Sequence, residues 1–494
     1  MVSPTLALVV QREVEIAAFQ PETFYTVELD CGGLTLAGER KPSKKEAQEA
    51  AARCQGSTAT VQAVERREKT EKPPALFDLT TLQREANRTL GYTAQQTLDY
   101  LQALYDKKFS TYPRTDSRYL TDDMEAGVPA LVEAAASICG VAAPETVLAG
   151  QVCDSARVSD HHAVVPTASA GRADLEALPI GEREILRLVS LGLLRAVCPP
   201  CRSAETCITA LCAGDPYTAK WKEVLSPGWK VHAQTADAEV GTGPDRLTEG
   251  QTLPVAAAKI KTGKTTPPKH HTEDSLLSAM ETAGKEDMPE DAERQGIGTP
   301  ATRATILEKL VSAGFVERKK AKKTVSLLPT PLGTALITVL PEQLQSPTLT
   351  AEWEHRLKEV ERGTLAPGDF MDEIAAMLRE LVETCRPVEG GAVLFPSTRE
   401  TVGRCPRCGG TVTEGRKGFF CEDRACGFAI WKDSKWWENK KKKPTKSIVA
   451  ALLKDGRAQV SGLWSEKTGK TYAATVLLTD DGMRASFRLE FGHE

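Results

Sequence analysis

A tyrosine followed closely by two arginines lies in the segment Ser110–Leu120, which reads Ser-Thr-Tyr-Pro-Arg-Thr-Asp-Ser-Arg-Tyr-Leu. Pro113 stiffens the loop next to the phenol of Tyr112. A phenol can act as a nucleophile, and the guanidinium groups of Arg114 and Arg118 can stabilise charge that builds on phosphoryl oxygens. The segment therefore favours attack by Tyr112 on a phosphodiester. The simpler alternative is a half-buried loop tyrosine beside surface charges.

Two adjacent histidines form the second candidate, in the string Asp160-His-His-Ala-Val-Val-Pro-Thr167. A histidine can move protons near neutral pH or donate to a phosphate oxygen. Taken alone, the Asp-His-His triplet is also typical of metal-dependent phosphoesterases, and paired histidines are typical of relaxases. Both classes need further aspartate or histidine ligands, and no matching cluster is visible in the sequence. For His162 an ordinary loop histidine is the simplest interpretation.

A glycine- and threonine-containing string, Gly296-Ile-Gly-Thr-Pro-Ala-Thr-Arg303, precedes an expected helix. Its glycines permit close backbone approach, while Thr299, Thr302 and a helix N-terminus offer donors to phosphate. A hairpin that contains Lys319 and Lys320 is expected after the helix, which is the layout of winged-helix DNA binders and of many other folds. A solvated turn is the simpler interpretation of these lysines.

Four cysteines occur as Cys405-x2-Cys408 and Cys421-x4-Cys426. This spacing suits tetrahedral thiolate ligation of Zn²⁺, whereas the alternative is a set of reduced, buried thiols within a small aromatic core. The sequence has 13 cysteines without a secretion signal, which favours metal ligands and free thiols over disulfides. The group around Cys198-Pro-Pro-Cys201 is a poorer metal candidate because its first pair ends an expected helix.

The element expected to position Tyr112 is the helix directly before it. Gly91 is expected to end the preceding helix. Thr93 and Gln96 then have the spacing of a capping box, and an apolar stripe follows on one helical face. The stripe is expected to contain Ala94, Leu98, Leu101 and Tyr105. A buried stripe that leads into a short polar loop can hold a nucleophile still.

Composition sets the broad class of the protein. The chain has 494 residues, with 41% hydrophobic and 26% charged side chains, as expected of several globular domains. No stretch approaches the roughly 18 apolar residues of a membrane span, and no signal-peptide layout is visible, so we expect a cytoplasmic protein without membrane contact. The net charge of −4 argues weakly against nucleic-acid binding, but phosphate contacts require only local positive charge.

Together these strings resemble the motifs of type IA DNA topoisomerases, most closely the topoisomerase III branch. The resemblance implies that Tyr112 is the nucleophile, that Arg114 assists it, and that His161 contacts phosphate. It also implies that the Gly296–Arg303 string lines a groove for single-stranded DNA. The predicted DNA contacts are Arg118, Thr299, Thr302, Arg303, Lys319 and Lys320.

The fold implied by the resemblance is a multidomain α+β toroid. It comprises a β-saddle hinge domain, a helical winged-helix-like tyrosine domain and a helical gate domain, with a C-terminal zinc ribbon and a small β module. The predicted boundaries are 1–72 and 205–265 for the hinge, 73–204 for the tyrosine domain and 266–386 for the gate. The zinc-ribbon-like module is predicted at 400–438 and the β-rich module at 445–494.

The implied activity is ATP-independent breakage and rejoining of one DNA strand through a 5′-phosphotyrosine. The family also has a Toprim domain whose acidic residues bind Mg²⁺, and no Asp-x-Asp motif of that kind is visible in this sequence. We therefore expect an enzyme that needs a separate Toprim-containing polypeptide as a partner. The alternative is a non-catalytic remnant that only binds single-stranded DNA.

Overall fold

The computed structural model describes residues 1–233, 247–284, 296–322, 324–346, 348–384, 401–423 and 425–490. The chain divides into two compact units, Met1–Val388 and Glu389–Glu494. Among the described residues, no helix is both long enough and apolar enough to cross a bilayer.

An antiparallel sheet in the first unit is built from two separate parts of the sequence. Its described strands are β1 (Thr23–Asp30), β2 (Thr35–Gly38), β3 (Thr58–Glu71), β4 (Cys201–Cys212), β5 (Asp215–Ser226), β6 (Thr252–Pro254) and β7 (Ala257–Lys264). They pair in the order β6-β3-β4-β5-β2-β1-β7. Helix α2 (Lys44–Cys54) covers the sheet and buries Ala47 and Ala50 against Val27, Leu36 and Ile208. Both stretches predicted for the hinge domain contribute strands to this sheet.

A group of helices is inserted between β3 and β4. These helices are α3 (Leu79–Leu90), α4 (Ala94–Asp106), α5 (Val128–Cys139) and α6 (Ile180–Ala196), with short 3₁₀ turns between α4 and α6. The predicted stop after α3 is confirmed, because Gly91 adopts the left-handed conformation, with φ of 76°. The predicted capping box of α4 is also confirmed, since the Thr93 hydroxyl accepts from the Gln96 amide at 3.1 Å.

The apolar stripe of α4 differs from its prediction at one position. Ala94, Leu98 and Leu101 are buried as expected, but Tyr105 is 40% exposed. Residues 104 and 105 are separated by about 100° around the helix, so both border the stripe. Leu104 fills the core, and the Tyr105 ring instead extends toward the tyrosine loop.

A second helical lobe in the same unit combines the first helix with residues after 270. Its described elements are α1 (Val2–Ala18), α7 (Glu273–Thr282), α8 (Pro300–Ser312), β8 (Val316–Ala321), β9 (Thr324–Pro329), α9 (Pro331–Val339) and α10 (Glu342–Gln345). Leu6 and Val9 of α1 pack with Leu276 and Leu307. The prediction kept residues 1–72 together in the hinge domain, whereas the structure divides them, because the apolar face of α1 is buried in this lobe. Two further helices follow, α11 (Thr348–Glu361) and α12 (Pro367–Thr384).

The second unit has one core shared by two sheets. One sheet contains β10 (Thr401–Arg404), β11 (Thr411–Glu414), β12 (Gly418–Cys421) and β13 (Ala429–Trp431), and the other contains β14 (Arg457–Ser465), β15 (Lys470–Asp480) and β16 (Ala485–Glu490). Helices α13 (Lys435–Asn439) and α14 (Lys446–Asp455) lie between them in sequence. The predicted β-rich module therefore begins with a helix, which buries Val449 and Leu452 in the shared core.

Candidate active site

The loop that carries Tyr112 is bound to the histidine-containing loop through backbone groups. The amide of Thr111 donates to the carbonyl of Val165 at 3.1 Å, and the Thr111 hydroxyl donates to the carbonyl of Ala163 at 3.0 Å. Further along, the Thr115 hydroxyl donates to the carbonyl of His161 at 2.7 Å. These bonds fix the two loops side by side, although they are distant in sequence.

Aromatic contacts then fix the ring of Tyr112. The centroids of the Tyr112 and His161 rings lie 4.1 Å apart, with the ring planes tilted by 37°. The Tyr105 ring meets Tyr112 edge to face, at a centroid distance of 5.6 Å. Tyr112 is half-buried and His161 is exposed, so the phenol is held by its neighbours while the site remains accessible.

The two arginines of the tyrosine loop differ in how they are held. Arg114 is exposed, and its Nη1 donates to Oε1 of Gln102 at 2.6 Å. Arg118 is half-buried, and its Nε donates to the carbonyl of Leu76 at 3.0 Å. Each of these bonds uses one N–H group of a guanidinium that has five. The other N–H groups can donate to an anionic ligand.

One cavity of about 680 Å³ joins three of the sequence motifs. It is bordered by Arg114 and Arg118 from the tyrosine loop, by His161, and by Thr299 and Arg303 from the glycine-containing string. Acidic side chains border it as well, namely Asp78, Asp116, Asp160 and Glu281. Arginines of two of these segments and the His161 ring therefore border a common space, together with four carboxylates.

The glycine-containing string is shaped by close backbone contact. Gly296 has φ of 89°, and a Cβ atom there would lie 2.3 Å from the carbonyl oxygen of Met280, so only glycine fits. The following threonines form the start of α8. The Thr299 amide donates to the Thr302 hydroxyl at 2.9 Å, and the two hydroxyls lie 3.1 Å apart. Their hydroxyl groups thus already take part in capping the helix.

Arg303 is 4% exposed and bridges the two helical parts of the unit. Its Nε donates to the carbonyl of Ile297 at 3.2 Å, and its Nη1 donates to the hydroxyl of Thr80 at 3.0 Å. Glu281 lies 4.0 Å from the same Nη1. Most of this side chain is therefore engaged within the protein, although it also borders the cavity.

Lys319 and Lys320 lie on the exposed part of β8 and do not border the cavity. Their neighbour Arg318 is paired with Glu273 and Glu308, at 2.8 Å and 2.5 Å. The sequence interpretation did not single out Gln102 or Arg84 as site residues. Gln102 could have been suggested by its place in the helical turn that leads directly into the tyrosine loop.

The four cysteines predicted as metal ligands converge in the second unit. Their sulfur atoms all lie within 4.8 Å of one another, with Cys405 and Cys426 Sγ at 3.6 Å and Cys408 and Cys421 Sγ at 3.5 Å. This cluster could hold a metal ion, and four thiolates are typical of structural zinc sites. Over the part of the chain that the structure describes, it is the only group of three or more potential ligands. The cysteines around Cys198 do not form such a group.

Comparisons of this chain with known proteins agree on one family. Residues 2–372 match a family model described as DNA topoisomerase. The chain is 34% identical to DNA topoisomerase 3 of Bacillus subtilis strain 168, over 86% of this chain and 62% of that protein. It is 33% identical to DNA topoisomerase 3 of Shouchella clausii strain KSM-K16, over 86% of this chain and 61% of that protein.

A solved structure, that of full-length topoisomerase I from Thermotoga maritima, aligns with a TM-score of 0.59 and 25% identity, over 87% of this chain and 69% of that one. The chain spans about 62% of the length of the curated Bacillus subtilis relative. The order of the motifs, the mixed α+β fold and these matches agree. The chain belongs to the type IA DNA topoisomerases, in the topoisomerase III branch.

Proposed function

We propose that this chain breaks and rejoins one strand of DNA through a covalent bond between Tyr112 and a 5′-phosphate. The observation that supports this proposal most directly is the contact of the Tyr112 ring with His161, at the border of a cavity that also receives Arg114 and Arg118. Two cations and a histidine ring thereby border one accessible space, and the ring of the proposed nucleophile contacts that histidine. Single-stranded DNA is the proposed substrate.

In the cleavage step, the phenolic oxygen of Tyr112 attacks the phosphorus of one phosphodiester. The new bond joins the tyrosine oxygen to phosphorus, and the bond from phosphorus to the 3′-oxygen of the neighbouring nucleotide breaks. The phenol loses its proton, and the leaving 3′-oxygen gains one, so the products are a 5′-phosphotyrosine and a 3′-hydroxyl. Rejoining reverses these steps. Because one phosphodiester replaces another of similar energy, the cycle needs no ATP.

The cationic residues act on the charge of the reacting phosphate. Arg114 and Arg118 stabilise the negative charge that develops on its non-bridging oxygens. His161 donates a hydrogen bond to the same group. The α8 N-terminus borders the cavity at Thr299 and, together with Thr302, contacts the DNA strand backbone. Arg303 contributes to this groove, whereas Lys319 and Lys320 contact phosphates outside the cavity.

The Mg²⁺ expected for the family finds no ligand set among the described residues. Four carboxylates border the cavity, but no group of three of them comes within ligating distance in the described part of the chain. Since Mg²⁺ needs converging oxygen ligands, the residues present do not fit this ion. No step above depends on it. We propose that a Toprim-containing polypeptide supplies the acidic residues.

The four-cysteine cluster is proposed to bind one structural Zn²⁺. Cys405, Cys408, Cys421 and Cys426 would hold it, and the ion would link the turns of the β10–β13 sheet. A closed set of four thiolates leaves no open position for catalysis. We further propose that the protein acts in the cytoplasm, where these thiols stay reduced.

The proposal is tested by trapping the covalent intermediate. A single-stranded oligonucleotide labelled at its 3′ end is incubated with the full chain, Mg²⁺ and a Toprim-containing polypeptide, and then denatured. We expect the label to migrate with the protein and mass spectrometry to assign the phosphate to Tyr112. Tyr112→Phe should abolish the adduct and leave single-strand affinity within about twofold.

Tyr119→Phe is a matched control because Tyr119 lies in the same loop, where its hydroxyl accepts from Arg157 at 2.7 Å. This variant should still form the adduct. If the unmodified chain binds single strands with strong salt dependence but never traps the label, the protein is a binding module and the catalytic proposal fails. An adduct that persists in Tyr112→Phe would assign the nucleophile elsewhere.

A further inference from the structure

We infer that Gln102 is a positioning residue that orients Arg114 toward the phosphate attacked by Tyr112. The catalytic part of this inference rests on the proposed function, whereas its geometric part does not. Gln102 is half-buried in α4, and its Oε1 accepts from Nη1 of Arg114 at 2.6 Å. A hydrogen bond from a charged donor at this distance is among the stronger kinds found in proteins.

The orientation of the Gln102 amide is itself fixed by a third residue. Its Nε2 donates to Oδ1 of Asp106 at 3.0 Å. An ionised carboxylate can only accept, so the amide nitrogen faces Asp106 and the amide oxygen is left for Arg114. Donors and acceptors are therefore fixed along this series of bonds: Arg114 donates to Gln102, and Gln102 donates to Asp106.

Arg114 needs such a partner because it is exposed and has many rotamers. An exposed arginine without a fixed acceptor loses side-chain entropy when a ligand holds it in one orientation. If Gln102 restrains the guanidinium before DNA binds, part of the Arg114 side-chain entropy is already lost on folding. Less of it is then lost on DNA binding. Pre-organised cations of this kind favour the transition state over the bound substrate.

The same end of α4 also contacts the nucleophile. Tyr105 lies three residues after Gln102, on a neighbouring position of the helical surface, and its ring meets Tyr112 edge to face. The last turns of α4 thus orient both the attacking phenol and the cation beside it. This arrangement explains why an exposed, polar part of the helix is followed directly by the tyrosine loop.

The chain contains a matched control for this interaction. Gln95 donates to Asp99 through Nε2 at 2.8 Å, which repeats the glutamine-to-aspartate bond four residues apart in the same helix. This pair lies in the first half of α4, whereas Gln102 lies next to the tyrosine loop. Replacing either glutamine removes one bond of the same kind, but only one replacement affects Arg114.

The geometric part is tested by crystal structures of the full chain, Gln102→Ala and Gln95→Ala. We expect the Arg114 guanidinium to be ordered in the unmodified chain and in Gln95→Ala, and to be dispersed over several rotamers in Gln102→Ala. An Arg114 equally ordered in all three would overturn the inference. This readout requires no activity, so it decides the inference even if the proposed reaction does not occur.

The catalytic part is tested by single-turnover cleavage in the complemented reaction. We expect Gln102→Ala to lower the cleavage rate about tenfold with single-strand affinity unchanged within about twofold, and Gln95→Ala to do neither. Gln102→Glu keeps an acceptor for Arg114 but loses the donor to Asp106, so it should recover only part of the rate. In an Arg114→Ala background, Gln102→Ala should have almost no further effect, because its action passes through Arg114. Independent, multiplying losses would refute this.

Discussion

The rings of Tyr112 and His161 contact each other, with centroids 4.1 Å apart and planes inclined by 37°. Hydrogen bonds join the two loops before and after Tyr112 in sequence, from the Thr111 amide to the carbonyl of Val165 and from the Thr115 hydroxyl to the carbonyl of His161. The tyrosine and histidine motifs therefore form one site and not two. Any change of the His161 ring therefore alters a group in direct contact with the Tyr112 ring.

The variant His161→Phe should show whether cleavage depends on the packing of the His161 ring or on its hydrogen bonding. His161→Phe keeps an aromatic ring against Tyr112 but removes both ring nitrogens, so we expect cleavage to fall by about 100-fold while binding changes little. His162→Gln is the control, because the ring of His162 contacts the carbonyl of Ala163 and not the tyrosine. Single-turnover cleavage of a labelled oligonucleotide is the measurement. Equal losses in the two variants would contradict a specific role for His161.

Removal of the cysteine cluster should release metal and unfold the second unit locally. Elemental analysis of the purified chain should give about one zinc per chain, and none in the double variant Cys405→Ser/Cys408→Ser. We expect β10–β13 to lose protection from hydrogen exchange in that variant, because the ion would no longer link the turns between these short strands. Cys207→Ser, at a half-buried cysteine outside the cluster, should keep the metal. A folded, metal-free wild type would refute the assignment.

Arg303→Met should destabilise the contact between the two helical parts of the first unit. The substitution removes the bonds to Thr80 and to the carbonyl of Ile297, both in a buried setting, and we expect a cost of about 2 kcal/mol. Arg84→Met removes a more exposed ion pair with Asp274 and should cost less than about 1 kcal/mol. Hydrogen exchange of α3 and α8 measures both. The prediction fails if the two substitutions cost the same.

A buried histidine makes the stability of the second helical lobe depend on pH. His271 is 4% exposed, and burial, assisted by the positive charge of Arg12, lowers its pKa to about 4, while Glu15 acts in the opposite direction. In the unfolded chain, His271 binds a proton near pH 6.5. In the folded chain, it binds that proton only near pH 4. The contribution of His271 to stability is therefore complete above pH 6.5 and is lost as the pH falls from there toward 4.

The loss should reach about 2 kcal/mol at pH 5, as measured by hydrogen exchange of α7 relative to pH 7.5. His271→Gln cannot titrate, so α7 in that variant should show a smaller difference between the two pH values. His270→Gln is the control, since His270 lies on the surface beside Glu13. An unchanged pH dependence in His271→Gln would show that other groups cause it.

Local sequence signals were sufficient for several elements of the site. The capping box at Thr93 and the glycine stop at Gly91 depend on residues within four positions of each other, and both are present as predicted. The spacing of the four cysteines likewise predicted a cluster, because the ligand pairs lie on adjacent turns of one small sheet. Such features need no knowledge of distant contacts.

Other features depend on contacts between distant parts of the chain and could not be derived from periodicity. The burial of α1 with Leu276 and Leu307 requires knowing that the first and later segments meet. In the α4 stripe Leu104 is buried where Tyr105 was expected, and this difference depends on the position of Tyr112. The engagement of Arg303 by Thr80 joins residues from two helices, whereas the sequence had indicated only a DNA contact for Arg303.

The strands on either side of the inserted helices have a mechanical consequence. β3 and β4 are paired up to Glu71 and Cys201, so the chain leaves and re-enters the sheet at two directly opposed residues. A Pro-Pro pair follows the first exit and another precedes the return, and proline cannot extend the ladder. Because both crossings lie side by side, the tyrosine-bearing helices are covalently anchored to the sheet at one point. Away from that point, Arg303 and Glu273 hold α3 and α4 through hydrogen bonds to the Thr80 hydroxyl and the Ala94 amide.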